Sequence, residues 1–176
     1  MIPESSESLL DEVASREKVL PHSSLRKKAM DLLARREHAV GELRQKLLTF
    51  LSKKSEKNDS AIASVNCVLE ELQDEGLVSD QRFTEAFVRY RRNNGYGPMR
   101  IQTELRERGV NEKIQSTYLD FADPRWRDQI AQVRHKRFGA DLPGDYKERA
   151  RQARFLQYRG FTTDQIKQAL TGGDCD

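Results

Sequence analysis

Residues 79–110 read SDQRFTEAFVRYRRNNGYGPMRIQTELRERGV and predict two amphipathic helices around a short break. Ser79 can cap the first helix, and the apolar face of that helix includes Tyr90. The polar residues 93–95, ending in glycine, are typical of a helix stop, and Pro98 suits the first turn of the second helix. The stretch therefore predicts a helix–turn–helix unit with a Gly-Pro turn.

The same signals occur along most of the remaining chain and predict seven further helices. Sustained period-two alternation and a βαβ pattern are both absent from the sequence, so we predict an all-α fold. The apolar faces of these seven helices include Leu32, Leu47, Leu69, Tyr118, Ile130, Leu156 and Leu170.

Two short segments of the chain are alike. LRERGV (105–110) and LQYRGF (156–161) share a Leu-x-x-Arg-Gly-hydrophobic pattern, and an apolar helix follows each. This similarity predicts three tandem three-helix repeats that stack into an elongated, curved body. The predicted parts are an N-terminal extension (1–22), repeats at 23–78, 79–122 and 123–172, and a frayed tail (173–176).

Charge is unevenly distributed along the 176 residues, of which 36% are hydrophobic and 34% are charged. The net charge is only +3, yet residues 25–54, 81–108 and 125–160 carry +6, +4 and +6, and residues 56–80 carry −6. Three basic blocks indicate a polarised surface suited to a phosphate backbone or an acidic protein face.

Residues for catalysis or metal binding are sparse. Cys67 lies in an apolar helical pattern and is predicted to be a core residue, while Cys175 lies in the tail. His22, His38 and His135 are far apart and have no nearby cysteines, so we predict surface positions for the last two. We predict no catalytic residues, no metal and no cofactor. Two cysteines and no long apolar run favour a cytoplasmic protein with no membrane segment.

Arginine and tyrosine are interleaved in the second and third predicted repeats. Arginine offers a planar set of donors to phosphates and carboxylates, and tyrosine can stack on a base or pack in a protein interface. The helix that Gly97 and Pro98 open could also hold an anion on its free N–H groups. The predicted partner- or nucleic-acid-binding residues are Arg89, Arg91, Arg92, Tyr96, Arg100, Arg106, Arg151, Arg154, Tyr158 and Arg159.

Two of these arginines, Arg91 and Arg92, allow a test from the sequence alone. If both side chains are exposed, Arg91→Ala with Arg92→Ala should weaken binding while the melting temperature hardly moves. A large loss of stability would show instead that they are structural.

The segment DEGLVSDQRFTEAFVRYRRNNGYGPMRIQTELRERGV (74–110) resembles the RecX family of recombination regulators. ARREHAVGELRQKL (34–47) resembles the family's first module and FLQYRGFTTDQI (155–166) its third, so the match covers roughly residues 25–171. Within the central segment, the matching residues are Gly76, Leu77, Asp80, Arg82, Phe83, Arg89, Gly95, Tyr96, Gly97, Pro98, Ile101, Glu104, Leu105, Arg108, Gly109 and Val110.

The resemblance implies three tandem three-helix repeats and binding to the RecA recombinase filament along its groove. Family members restrain filament growth and thereby lower ATP hydrolysis and strand exchange, without a chemical step of their own. We accordingly expect a non-enzymatic, monomeric regulator whose partners are the RecA nucleoprotein filament and single- or double-stranded DNA.

Two other functions fit the same residues. A general DNA-binding protein of helix-turn-helix type would select a preferred sequence from a random pool. A helical adaptor for an unrelated acidic protein would retain its partner in a pulldown from nuclease-treated lysate.

Overall fold

The computed structural model describes residues 22–53 and 59–171, and every regular element within these ranges is a helix. The all-α prediction is therefore confirmed for the described residues. The tail with Cys175 and, except for His22, the N-terminal extension lie outside them. Nowhere in these two ranges is a helix both long enough and apolar enough to cross a bilayer. The helices are α1 (His22–Leu33), α2 (Val40–Lys53), α3 (Asp59–Asp74), α4 (Asp80–Asn93), α5 (Pro98–Glu107), α6 (Glu112–Tyr118), α7 (Arg125–Phe138), α8 (Tyr146–Arg159) and α9 (Thr163–Thr171).

Side-chain caps start the helices where the sequence predicts them. The Ser79 side chain accepts a hydrogen bond from the Arg82 amide at the start of α4. At α9, the Gln165 amide donates to the Thr162 hydroxyl over 3.3 Å, and the Thr162 amide donates to Gln165 Oε1 over 3.0 Å. This reciprocal pair satisfies amides that have no partner inside the helix, so local sequence sets the helix start.

The described residues form two compact units. The first comprises residues 22–36, 42–53 and 59–78, in which α1 packs on α3. Leu25, Leu47, Val65 and Leu72 are fully buried in it. Burying each such side chain contributes about 1.5–3 kcal/mol, so this small core holds the three helices together.

The second unit comprises residues 37–41 and 79–171 and has one continuous core. Trp126 is 1% exposed and donates its indole N–H to the Asp120 carbonyl over 2.7 Å. Ile101, Leu105 and Phe161 are buried around it in the same cluster. The second and third predicted repeats therefore share apolar residues in one core.

The two similar sequence segments adopt the same turn. The Val110 amide donates to the Leu105 carbonyl over 3.1 Å, and the Phe161 amide donates to the Leu156 carbonyl over 3.2 Å. Gly160 reaches this turn with φ of 90°, a region that side chains with a Cβ rarely adopt. The internal similarity thus corresponds to a repeated helix stop.

The start of α5 lies directly on the turn that ends α8. The Gly97 amide donates to the Arg159 carbonyl over 2.8 Å, and the Met99 amide donates to the Gly160 carbonyl over 3.0 Å. A Cβ built on Gly97 would lie 2.4 Å from the Gly160 carbonyl carbon, so only glycine fits there. We call Gly97, Met99, Arg159, Gly160 and Phe161 together the joint.

Three predicted environments are wrong. Cys67 is exposed, because the buried stripe of α3 runs through residues 65, 68, 69 and 72 on another side of the helix. His38 is 3% exposed, because the segment 37–41 packs into the second unit. Tyr90 is 62% exposed, because the inward face of α4 includes Thr84 and Val88 and continues to Arg91.

Candidate functional site

Tyr96 lies at the centre of a stack of arginines beside the joint. The guanidinium carbons of Arg91, Arg100 and Arg159 lie 4.9, 4.8 and 5.3 Å from the centre of its ring. Arg100 also lies 5.2 Å from the ring centre of Tyr158 and donates to the Tyr158 carbonyl over 3.3 Å. Each such contact contributes about 0.5–2 kcal/mol, so the stack connects α4, α5 and α8.

Glu104 neutralises two of these arginines. Its Oε2 lies 2.6 Å from Arg91 Nε and its Oε1 lies 3.3 Å from Arg100 Nε. The Arg91 contact is a close ion pair and not a well-directed hydrogen bond, because Arg91 Nε and Glu104 Oε2 are near each other but do not have the angles of a hydrogen bond. The Glu104 side chain is only 12% exposed, and the pairing therefore offsets the cost of burying charge on both sides.

Asp123 neutralises Arg92 as Glu104 neutralises Arg91 and Arg100. The Arg92 Nη2 atom lies 2.9 Å from Asp123 Oδ2, and the guanidinium carbon lies 4.2 Å from the Trp126 ring centre. Hydrogen bonds from Arg125 and, to a smaller extent, from Arg92 lower the pKa of the Asp123 carboxyl to about 2. Asp123 therefore stays ionised, and keeps its arginine partners, at any pH near neutrality.

The expectation that Arg91 and Arg92 are exposed is wrong. Their side chains are 22% and 15% exposed, because one turn of α4 aims both toward carboxylates and aromatic rings of the same unit. Both guanidinium groups therefore make structural contacts within the second unit.

The predicted anion site at the start of α5 is also wrong. The Gly97 and Met99 amides at this helix start donate to the carbonyls of Arg159 and Gly160 in the joint. Because these carbonyls occupy the position of an anion, the helix terminus binds the neighbouring turn instead.

Five of the ten predicted binding residues are exposed. Arg89 is 69% exposed, with Glu85 at 4.0 Å, and Tyr158 is 73% exposed. Arg151 and Arg106 form ion pairs over 3.4 and 3.3 Å with carboxylates on the surface. Arg154 is exposed on α8. Surface pairs of this kind are weak, so these side chains are accessible to a partner.

A basic groove of about 460 Å³ opens between the end of α4, α7 and α8. Arg159 forms one wall, where its Nη1 donates to the Asn94 carbonyl over 3.3 Å and its guanidinium lies 5.3 Å from the Phe155 ring centre. No carboxylate, histidine or thiol is among its lining residues, so it offers binding groups and no acid–base pair. The basic groove is lined by Asn93, Asn94, Gly95, Gln129, Gln132, Val133, Lys136, Arg137, Phe155 and Arg159.

Lys136 and Arg137 are not among the ten binding residues predicted from the sequence, although both lie in the basic block 125–160. They lie in the run RHKR (134–137) in the last turn of α7. The run alone is ambiguous, because Arg134 is 7% exposed and donates to two carbonyls over 2.8 Å. Only the helix orientation separates the buried arginine from the two cations that line the groove.

Comparisons with known proteins agree with this fold. Residues 79–119 match the RecX second three-helix domain, and residues 127–170 match the RecX third three-helix domain. The chain is 44% identical to the regulatory protein RecX of Halorhodospira halophila over 87% of this chain and 90% of that protein. It is 40% identical to that of Pseudomonas fluorescens over 87% and 94% of the two chains.

Solved structures show the same architecture at lower identity. The crystal structure of RecX from Lactobacillus salivarius superimposes with a TM-score of 0.66, at 20% identity, over 87% of this chain and 96% of that one. A second crystal structure, of regulatory protein RecX, has a TM-score of 0.67 at 18% identity over 95% and 78% of the chains. These two likenesses establish the fold.

Proposed function

Because the chain belongs to the RecX family of regulatory proteins, we propose that it binds the RecA recombinase filament and the DNA within it. Binding in the filament restrains the growth of the filament and thereby lowers ATP hydrolysis and strand exchange by the recombinase. The chain performs no chemical step, since occupying the filament is enough to disturb the geometry between recombinase subunits. It acts as a monomer in the cytoplasm, where it modulates recombination and repair.

The observation that carries this proposal is the basic groove without carboxylates. Lys136, Arg137 and Arg159 converge there, and amide side chains of α4 and α7 add neutral hydrogen-bonding groups. Lys136 and Arg137 are both exposed, and neither has an ion-pair partner among the described residues. A DNA backbone would supply the missing negative charge, and its counterions would be released on binding.

The exposed arginines and tyrosine supply a second kind of contact. Arg151, Arg154 and Tyr158 lie on α8, the helix that also contributes Arg159 to the basic groove. Arginine and tyrosine are enriched among the residues that dominate protein interfaces. We propose that α8 contacts the recombinase while the groove holds the DNA backbone.

Lys136→Ala with Arg137→Ala tests the groove. We expect weaker binding to RecA filaments and to bare DNA, because two phosphate contacts are lost. The slope of log affinity against log salt concentration should fall by about 2, one for each contact. Fluorescence anisotropy over a salt series measures this, and the free energy of unfolding should change by less than about 0.5 kcal/mol.

Lys147→Ala with Arg149→Ala is the matched control. It removes two exposed positive charges from the start of α8, outside the basic groove. If this variant loses as much affinity and as much salt slope as the groove variant, binding depends on overall charge and the groove has no special role.

A further inference from the structure

Three side chains able to bind a metal converge in the first unit. His22 lies at the start of α1, and Cys67 and Glu71 lie one turn apart on α3. One ligand atom of each lies within 4.8 Å of the others. His22 Nε2 is 3.1 Å from Glu71 Oε1, and Cys67 Sγ is 3.7 Å from the same oxygen.

These separations are close to those around a tetrahedral zinc ion. Zinc bonds of about 2.0 Å to nitrogen or oxygen and about 2.3 Å to sulfur place donors roughly 3.3 Å (N to O) and 3.5 Å (S to O) apart. The His22–Glu71 and Cys67–Glu71 distances differ from these values by only a few tenths of an ångström. The ligand atoms of His22 and Cys67 lie within 4.8 Å of each other, against roughly 3.5 Å between nitrogen and sulfur around a tetrahedral zinc ion, so the metal would draw these two side chains together.

We propose that His22, Cys67 and Glu71 form a zinc site that ties the start of α1 to α3, with water as the fourth ligand. Thiolate, imidazole and carboxylate together are the donors that zinc prefers. The site belongs to the first unit, so it is independent of the basic groove and goes beyond the proposed function. The sequence predicts no metal, because His22 and Cys67 are far apart in the chain and only the packing of α1 on α3 brings them together.

Arg26 orients the carboxylate of this site. Its Nη1 lies 3.5 Å from Glu71 Oε2, which leaves Oε1 facing His22 and Cys67. Glu75 Oε2, 2.6 Å from Arg26 Nη2, balances the arginine's charge beside the metal position. Outer contacts of this type hold ligands in place in known metal sites, and their loss commonly lowers affinity by about 10–100-fold.

The test measures zinc binding by the full chain in competition with a chromophoric chelator. A Cys175→Ser background leaves Cys67 as the single thiol. We expect one zinc ion per chain and a loss of affinity greater than about 100-fold for Cys67→Ser or Glu71→Gln, because each removes a direct ligand. Arg26→Ala should lose about 10-fold or more. Asp74→Asn, a change at an exposed carboxylate of the same helix outside the cluster, should leave the affinity unaltered.

Cobalt provides a readout that a purely structural role would not affect. Co²⁺ bound in the Cys175→Ser protein should show thiolate-to-metal charge-transfer absorption, which Cys67→Ser should abolish while circular dichroism confirms an unchanged helix content. Zinc should also raise the melting temperature of this protein and not that of the Glu71→Gln variant. No stoichiometric zinc binding, or equal affinity in the ligand variants, would overturn the site, and either result would leave the DNA-binding proposal untouched.

Discussion

Replacing Gly97 with alanine is expected to lower the free energy of unfolding by about 3 kcal/mol. The new Cβ would lie 2.4 Å from the carbonyl carbon and oxygen of Gly160 and from the Phe161 amide nitrogen. All three are backbone atoms that cannot rotate away, so the joint would have to open. Gly97 has φ of −85°, an ordinary value for alanine, and the cost therefore comes from the contact alone. Urea denaturation measures the loss.

Gly144→Ala is the control for this substitution. Gly144 is exposed, and a Cβ built on it meets nothing within 4 Å. We expect a change of less than about 1 kcal/mol, and a slight stabilisation is compatible with the lower entropy of the unfolded chain. Equal effects of the two substitutions would contradict the close packing of α5 on the turn after α8.

Arg91→Ala with Arg92→Ala is expected to cost about 3 kcal/mol of stability, against the small effect that the sequence predicts. The double change removes the ion pairs with Glu104 and Asp123 and the contact with Trp126. It also leaves the nearly buried Glu104 carboxylate with fewer partners. Thermal and urea unfolding should both show the loss.

Arg89→Ala on the same helix is the control, because it removes an arginine charge without removing a buried contact. The Arg89 side chain is 69% exposed and its contact with Glu85 is 4.0 Å long, so we expect a change within about 0.5 kcal/mol. If the Arg91 and Arg92 variant is as stable as the Arg89 variant, the contacts of Arg91 with Glu104 and of Arg92 with Asp123 and Trp126 do not stabilise the second unit.

The helices and their boundaries were predictable from the sequence because their causes are local. The Ser79 cap, the Thr162 and Gln165 pair and the glycine stop at Gly160 each depend on residues within a few positions of one another. The RecX resemblance was predictable for the same reason, since its motif lies within one continuous stretch.

The environments of charged side chains were not predictable in this way. Tyr90 and Arg91 are adjacent on α4, yet Arg91 points inward and Tyr90 points to solvent. Either residue type can lie at the edge of an apolar helix face, so the sequence does not show which of the two is buried. Arginines that pair with Glu104 or Asp123 look the same in sequence as arginines that face solvent. The basic groove draws on three helices, so no single stretch of sequence contains it.

Arg159 belongs both to the stack around Tyr96 and to the basic groove. Its ring contact with Tyr96 belongs to the stack beside the joint, and its guanidinium also lines the basic groove. The packing of α5 against the turn after α8 therefore positions a cation for the proposed DNA contact. Damage to the joint should lower affinity as well as stability.

The proposed regulation of RecA can be tested by titrating this protein against the ATPase activity of the matching RecA recombinase on single-stranded DNA. We predict inhibition at a ratio of protein to DNA sites well below saturation, because a few bound chains restrain filament extension. The Lys136→Ala, Arg137→Ala variant should need a higher concentration for the same inhibition. Inhibition that follows only the coverage of bare DNA by the protein would show that it does not act on the RecA filament itself.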